Sequence, residues 1–237
     1  MLNPVSVCCN NMKQFFRIIL FAICVFVIES ILSVAAYRFV PVVYTPLMFI
    51  KVAQQAIDGK PLALHREWTS LDNISHNMVQ AVVASEDNLF TEHYGFDFKG
   101  IEKAFKNNQR GKRLKGGSTI SQQTAKNVFL TPSRSYVRKA FEAYYTILIE
   151  LIWSKSRIME VYLNVIETGN GMYGVTVASE EYFHKKPAKL TKYQAASIAA
   201  SLPNPRKYKV VNQGPYMQRR TSHIQSLMNK IERVSFK

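Results

Sequence analysis

Residues 75–97, SHNMVQAVVASEDNLFTEHYGFD, carry an apolar helical face that runs into a loop dense with reactive side chains. Met78, Val79, Val82 and Val83 recur at helical spacing on one face. Glu86 follows Val82 by four residues and Asp87 follows Val83 by four, so both carboxylates extend that face. A carboxylate held against apolar surroundings has its charged form disfavoured, which moves its pKa up toward the range of a general acid or base. An acidic pair at a frayed helix end has the same spacing. Beyond it, Phe90, His93, Gly95 and Asp97 bring aromatic, imidazole and carboxylate groups close together in sequence.

Helical periods continue on either side. Residues 136–153 place Val137, Phe141, Tyr144, Leu148 and Ile152 on one face, and Thr119 to Gln122 and Thr191 to Gln194 match the capping-box pattern. The second capped helix should stop before Pro203. No run alternates with the period of a strand. The body therefore reads as all-α or strongly α-rich, with long functional loops at about 88–117 and 165–178.

The chain has 237 residues, 47% of them hydrophobic, which is enough apolar material for a packed core and excludes a disordered tail or fibre. No motif recurs at a fixed period, so a repeat array is excluded as well. Net charge is +15, and residues 1–37 hold only Lys13, Arg17 and Glu29, a net +1, so +14 falls on the rest. Such a domain favours anionic partners: nucleic acid, anionic lipid or a phosphate-bearing substrate. Cys8, Cys9 and Cys24 all precede residue 38, so the body has neither an internal disulfide nor a thiolate metal site.

Residues 18–37, IILFAICVFVIESILSVAAY, contain one charge in twenty residues. As a helix they extend about 30 Å, one hydrocarbon thickness. Lys13 and Arg17 precede the segment, which favours a cytoplasmic N-terminus and an exported body. The expected organisation is a cytoplasmic segment 1–14, a transmembrane anchor 15–37, a partly helical neck 38–64 and a domain 65–237. A removed signal peptide, cut after the small residues Ser33, Val34 and Ala35, and a buried core helix are the competing readings. Glu29 within the segment is unexplained.

Two further clusters carry charge chemistry. Lys115, Gly116 and Gly117 lead into the capped helix at 119–127, and free N–H groups at a helix start suit phosphate, although no Walker loop is present. Thr119, Gln123 and Lys126 share one polar face, as they also would on a solvated amphipathic helix. Arg138 and Glu142 stand at i and i+4; this is either an ordinary surface ion pair or, with Lys139, a second carboxylate and two cations for an anionic leaving group.

Taken in order, these segments resemble the motifs of glycosyltransferase family 51, the peptidoglycan glycosyltransferases. Residues 86–97 resemble the first motif and 116–127 (GGSTISQQTAKN) the second. Residues 138–142 (RKAFE) resemble the third, and 157–164 (RIMEVYLN) with Gly169, Gly174, Tyr182 and Phe183 the fourth. Residues 195–205 (AASIAASLPNP) with Tyr208 resemble the fifth. The match covers roughly residues 65–210 and is most similar to the monofunctional biosynthetic members. The chain ends at 237 without Ser-x-x-Lys or Lys-Thr-Gly, so no penicillin-binding transpeptidase activity is expected. His184 stands where the family commonly has Gly, and the basic tail 211–237 is expected to be helical with no assigned purpose.

The resemblance implies a lysozyme-like α-helical domain behind a single membrane helix, on the periplasmic or outer face of the bacterial cytoplasmic membrane. Its implied reaction polymerises lipid II onto a growing glycan strand, with inversion at the anomeric carbon and release of undecaprenyl pyrophosphate. Glu86 would be the general base and Glu142 the second catalytic carboxylate. Asp87, Phe90, His93, Thr119, Gln123, Lys126, Asn127, Arg138 and Lys139 would contact substrate. In the family a Mg²⁺ or Mn²⁺ ion often assists, here with Asp87 and Glu142 as oxygen ligands, and no organic cofactor is implied. Implied partners are the membrane and other cell-wall synthesis and division proteins, not nucleic acid. A glycan-cleaving lytic enzyme would not need the cations, and a basic glycan-binding module would not need the carboxylates.

Overall fold

The computed structural model describes residues 4–98, 100, 102, 117–133 and 135–236. The chain divides into two units, Met1–Val40 and Pro41–Lys237. The first is built on a single 34-residue helix, α1 (Pro4–Tyr37). Its section Lys13–Tyr37 is long and apolar enough to cross a membrane, and Ile18, Phe21 and Leu32 are exposed along it.

In the second unit, α2 (Pro46–Ile57) starts at Thr45, whose hydroxyl accepts from the Met48 N–H, with Pro46 at the first helical position where its missing N–H costs nothing. Helix α3 (His76–Glu86) is followed, after the loop, by α4 (Ile120–Phe129), α5 (Tyr136–Ile152) and α6 (Lys155–Val165). Helices α7 (Val175–Phe183), α8 (Lys192–Ser201) and α9 (Pro215–Lys230) complete it. The mainly-α expectation stands. Both capping boxes form, at Thr119 with Gln122 and at Thr191 with Gln194, and α8 ends before Pro203.

Strands are present where none was expected. β1 (His65–Arg66) runs parallel to β3 (Met172–Tyr173), and β2 (Glu167–Gly169) runs antiparallel to β3, in the order β1-β3-β2. Two or three residues are too few to display a period of two, so alternation could not reveal them. The expected loop at 165–178 is thus a hairpin that feeds directly into α7. Its turn uses Gly171 at φ +69°, where an added Cβ would lie 2.4 Å from the Ala63 carbonyl oxygen. Of the other expected loop, residues 88–97 are irregular and Phe98, Gly100 and Glu102 are helical. Residues 99, 101 and 103–116 lie outside the described residues, Lys115 and Gly116 of the phosphate-site reading among them.

The core centres on α3, whose Met78 and Val82 are fully buried. It packs against α8 and α9, while α4 packs against α5 and α6. Nearly every inward residue of α8 is Ala or Ser (Ala195, Ala196, Ser197, Ala199, Ala200, Ser201), and small side chains let helices approach closely. The basic tail is α9, and it buries Met217, Thr221, Ile224 and Met228 as one stripe. Beyond it the chain is pinned by Gln80, which donates to the Glu232 carbonyl at 2.9 Å and accepts from the Val234 N–H at 3.0 Å. His184 closes α7 in the left-handed region at φ 52°, ψ 43°, which accounts for the family's usual glycine there.

Candidate active site

Glu86 is the last residue of α3 and is half-buried at the helix end. Its Oε2 accepts from the Gln123 side-chain amide of α4 at 3.2 Å. The oxygen of that amide accepts in turn from the Tyr162 hydroxyl of α6 at 3.3 Å. Burial pushes the Glu86 carboxyl above its usual range, with Asp87 adding to the effect; the Gln123 hydrogen bond, Arg220 and Lys126 oppose it. This is the direction the apolar helix face implied. Tyr162 is fully buried, and burial holds its phenol well above the ordinary range, so it stays protonated.

Asp87 does a different task from its neighbour. It is buried, both its oxygens face His93 Nε2 at 2.9 and 3.1 Å, and Oδ2 also accepts from the Ile120 N–H at 3.0 Å. That N–H opens α4 and has no partner within its own helix. The Asp87 carboxylate therefore joins the end of α3, the loop and the start of α4. Thr119 is buried as well: its hydroxyl caps α4 by accepting from the Gln122 N–H and donates to the Gly95 carbonyl at 2.7 Å. Phe90 is buried between the Lys155 ammonium, 4.6 Å from its ring centre, and Phe236. Asp87, Phe90, His93 and Thr119 thus hold the loop in place against the start of α4 and the core.

The opening is a cleft of about 380 Å³ whose walls include Gln123, Lys126, Asn127, Arg138, Tyr162 and Glu167. Gln123 and Lys126 face it from adjacent turns of α4, as their spacing implied, and Asn127 joins them. On α5, Glu142 is 3% exposed and receives Arg138 Nη1 at 2.5 Å and the Lys139 ammonium. With its carboxylate so deeply buried, this is not the solvated surface pair that i, i+4 spacing alone would allow. Arg138 keeps a buried Nε without a partner. Burial lowers the Lys126 pKa, Glu142 works against this, and Arg138 and Lys139 lower it further. Lys126, Arg138 and Lys139 thus set three positive charges against the Glu142 carboxylate, and Lys126 and Arg138 face the cleft, an arrangement suited to an incoming anion.

The two carboxylates foreseen as metal ligands have their oxygens committed, Glu142 to two cations and Asp87 to His93 and Ile120. No cluster of three His, Cys, Asp or Glu residues able to hold a metal occurs among the described residues. A divalent ion at Glu142 would share the carboxylate with the Arg138 and Lys139 cations that already sit on its two oxygens.

Three participants were not foreseen. Tyr162 lies in the segment 157–164 that resembles the fourth motif, and the physical signal that could have singled it out is that a buried tyrosine needs a partner for its hydroxyl. Arg220 acts on Glu86 from α9, far along the chain. Glu167 lines the cleft and is paired with Arg206 at 2.6 Å. The conspicuous residues of segment 157–164 prove architectural. Asn164 accepts from the Thr69 N–H at 2.8 Å and donates to the Thr69 carbonyl at 2.9 Å. Arg157 lies over the Trp68 ring at 5.1 Å and pairs with Glu160 at 2.9 Å, so both ends of α6 grip the segment leading to α3.

Known proteins resemble this chain in sequence. The family model described as Transglycosylase matches residues 54–229. A protein of Bacteroides thetaiotaomicron named "Biosynthetic peptidoglycan transglycosylase" is 52% identical over 87% of this chain and 83% of its own length. Proteins of the same name from Caulobacter vibrioides and Pasteurella multocida are 48% and 43% identical, over 88% and 93% of this chain and 89% and 90% of theirs. The chain belongs to the transglycosylase family of glycosyltransferases.

Proposed function

We propose that this chain is a peptidoglycan glycosyltransferase that polymerises lipid II into β-1,4-linked strands, inverting the anomeric carbon and releasing undecaprenyl pyrophosphate. The observation that carries the proposal is the division of labour along α4. Gln123 meets the carboxylate Glu86, and Lys126, three residues on, faces the Arg138, Lys139 and Glu142 set. Three residues advance a helix by about 4.5 Å, so a base and an anion site lie roughly one turn apart.

In this reading Glu86 takes the proton of the acceptor 4-hydroxyl through the oxygen that Gln123 leaves free. The acceptor oxygen bonds to the anomeric carbon of the donor, and the bond to the diphosphate oxygen breaks, its electron pair leaving with the pyrophosphate. Charge builds on that leaving group, where Lys126, Arg138 and its unpartnered Nε stand ready. Glu142 holds the two guanidinium and ammonium groups in place between turnovers. The helix Lys13–Tyr37 anchors the enzyme with its N-terminus in the cytoplasm and the catalytic unit outside, near its lipid substrate and other cell-wall proteins.

The test is incubation of the purified full chain with lipid II and separation of the products on a gel. Wild type should give glycan ladders, and Glu86→Gln and Glu142→Gln should not. Ladders from Glu86→Gln at the wild-type rate would remove the base assignment. The reading also holds that the chain carries no transpeptidase activity, and labelling of the protein by a fluorescent penicillin would contradict it.

A further inference from the structure

We propose that Tyr162 is a positioning residue: its hydroxyl fixes the Gln123 amide in the one orientation that donates to Glu86. The inference rests on Glu86 acting as the base. A glutamine amide has a donor end and an acceptor end, and turning it over exchanges them. Toward Glu86 the donor end is wanted, because a hydrogen bond to the carboxylate favours its charged, proton-accepting form. With the ends exchanged, an amide oxygen would face a carboxylate oxygen, which is tolerable only if Glu86 is protonated and therefore useless as a base.

What decides the orientation is the group at the far end. That group is the Tyr162 hydroxyl, 3.3 Å from Gln123 Oε1, while Nε2 lies 3.2 Å from Glu86 Oε2. Tyr162 is fully buried on α6, and the phenol keeps its proton across the working pH range, so it remains available as a donor. No hydrogen bond joins it to Glu86 among the described residues, and it acts through Gln123. The other charged groups that bear on Glu86 are Asp87 beside it, Lys126 of α4 and Arg220 of α9. None of these bonds to Gln123 among the described residues, so none substitutes for Tyr162 in setting the amide.

The experiment is a double-mutant cycle on the full chain with lipid II as substrate: wild type, Tyr162→Phe, Gln123→Ala and the pair, each followed as kcat/KM against pH. Tyr162→Phe removes one oxygen and should move the acid limb of the profile up by about half a pH unit and lower the rate on the plateau about fivefold, the equivalent of one ordinary hydrogen bond. In the Gln123→Ala background the same substitution should change the limb and the rate by less than about twofold. Melting temperatures of all four proteins, measured alongside, show whether any variant has lost its fold. An unmoved acid limb in Tyr162→Phe, or effects of the two substitutions that multiply, would overturn the assignment of Tyr162 while leaving the polymerase reading intact. A wild-type protein that makes no ladders would instead overturn the polymerase reading.

Discussion

Glu142→Gln isolates what the buried carboxylate does for the cation wall. The substitution keeps the shape of the side chain and removes one negative charge from a site that is 3% exposed. Arg138, whose side chain is 17% exposed, and the half-exposed Lys139 then lose their shared anion, and Lys126 loses the one charge in that set that favours its protonated form. Breaking a buried pair typically costs about 3–5 kcal/mol, and the exposure of Lys139 argues for the lower end, about 3 kcal/mol. In a domain of this size each kcal/mol moves the melting temperature by about 2–4 °C, so a fall of roughly 6–12 °C is expected. Unfolding of the detergent-solubilised chain followed by far-ultraviolet circular dichroism measures it. Inorganic pyrophosphate supplies the missing anion and should restore more of the loss in the variant than it adds to wild type, through binding to the folded state. An unchanged melting temperature, or equal stabilisation of both proteins by pyrophosphate, would refute the idea that Glu142 serves as a resident counter-anion at a diphosphate site.

Glu86 should cost stability at neutral pH. Its folded pKa is raised, so its stabilising contribution is complete only below the unfolded value and disappears as pH rises through the folded one. Glu86→Gln should therefore melt higher than wild type at pH 7 while making no glycan, and the difference should shrink on acidification; a lower melting temperature at pH 7 would contradict this. Lys126 has a lowered folded pKa, so its burial penalty is felt throughout the range in which it is charged, and Lys126→Met should likewise raise the melting temperature and abolish polymerisation. His184→Gly relieves a left-handed backbone that costs a non-glycine residue roughly 1–2 kcal/mol and adds back a smaller chain-entropy loss, so thermal unfolding should occur about 2–4 °C later with activity unaltered. Gly174→Ala should do the reverse: at φ +85° an added Cβ would lie 2.8 Å from the Asn164 carbonyl oxygen, and a loss of soluble folded protein is the outcome to look for.

Much of the helical frame was legible because its signals are local. A capping box needs four residues, and the apolar face of α3 needs eleven, so sequence alone located both. The strands were not legible: β1 pairs with β3 across more than a hundred residues, and the Gly171 turn that allows it has no pattern longer than itself. Within the site, helical spacing correctly put Gln123 and Lys126 on one face, and Arg138 with Glu142. It could not separate residues that line the cleft from those that build it. Asp87, Phe90, His93 and Thr119 were expected to contact substrate; in the structure the Asp87 carboxylate, the Thr119 hydroxyl, the Phe90 ring and His93 Nε2 are engaged in holding the loop and the start of α4, while the buried His93 Nδ1 keeps no partner. Sequence order carries no information on whether a hydrogen-bonding group is already occupied.

That distinction explains why reactive-looking residues crowd the stretch from Glu86 to Asp97. A base must be partly desolvated to have a useful pKa, and a desolvated carboxylate at a helix end will move toward water unless its surroundings are rigid. Asp87 supplies the rigidity. It is adjacent in sequence but turned the other way, and it satisfies His93 and the first N–H of α4 at once. Because α4 also carries Gln123 and Lys126, one buried carboxylate fixes the single helix that both orients the base and presents the cation. Asp87→Asn should therefore reduce activity through position rather than chemistry. Its amide oxygen can still accept from the Ile120 N–H, but an NH2 donor replaces the other carboxylate oxygen facing His93 Nε2 and the charge that strengthens these bonds is lost; such charge-assisted bonds are worth about 1.5–3 kcal/mol. Hydrogen exchange at the N-terminal amides of α4, beginning with Ile120, should accelerate in this variant while those of α8 stay protected, and unaltered protection at Ile120 would show that Asp87 does not hold the helix.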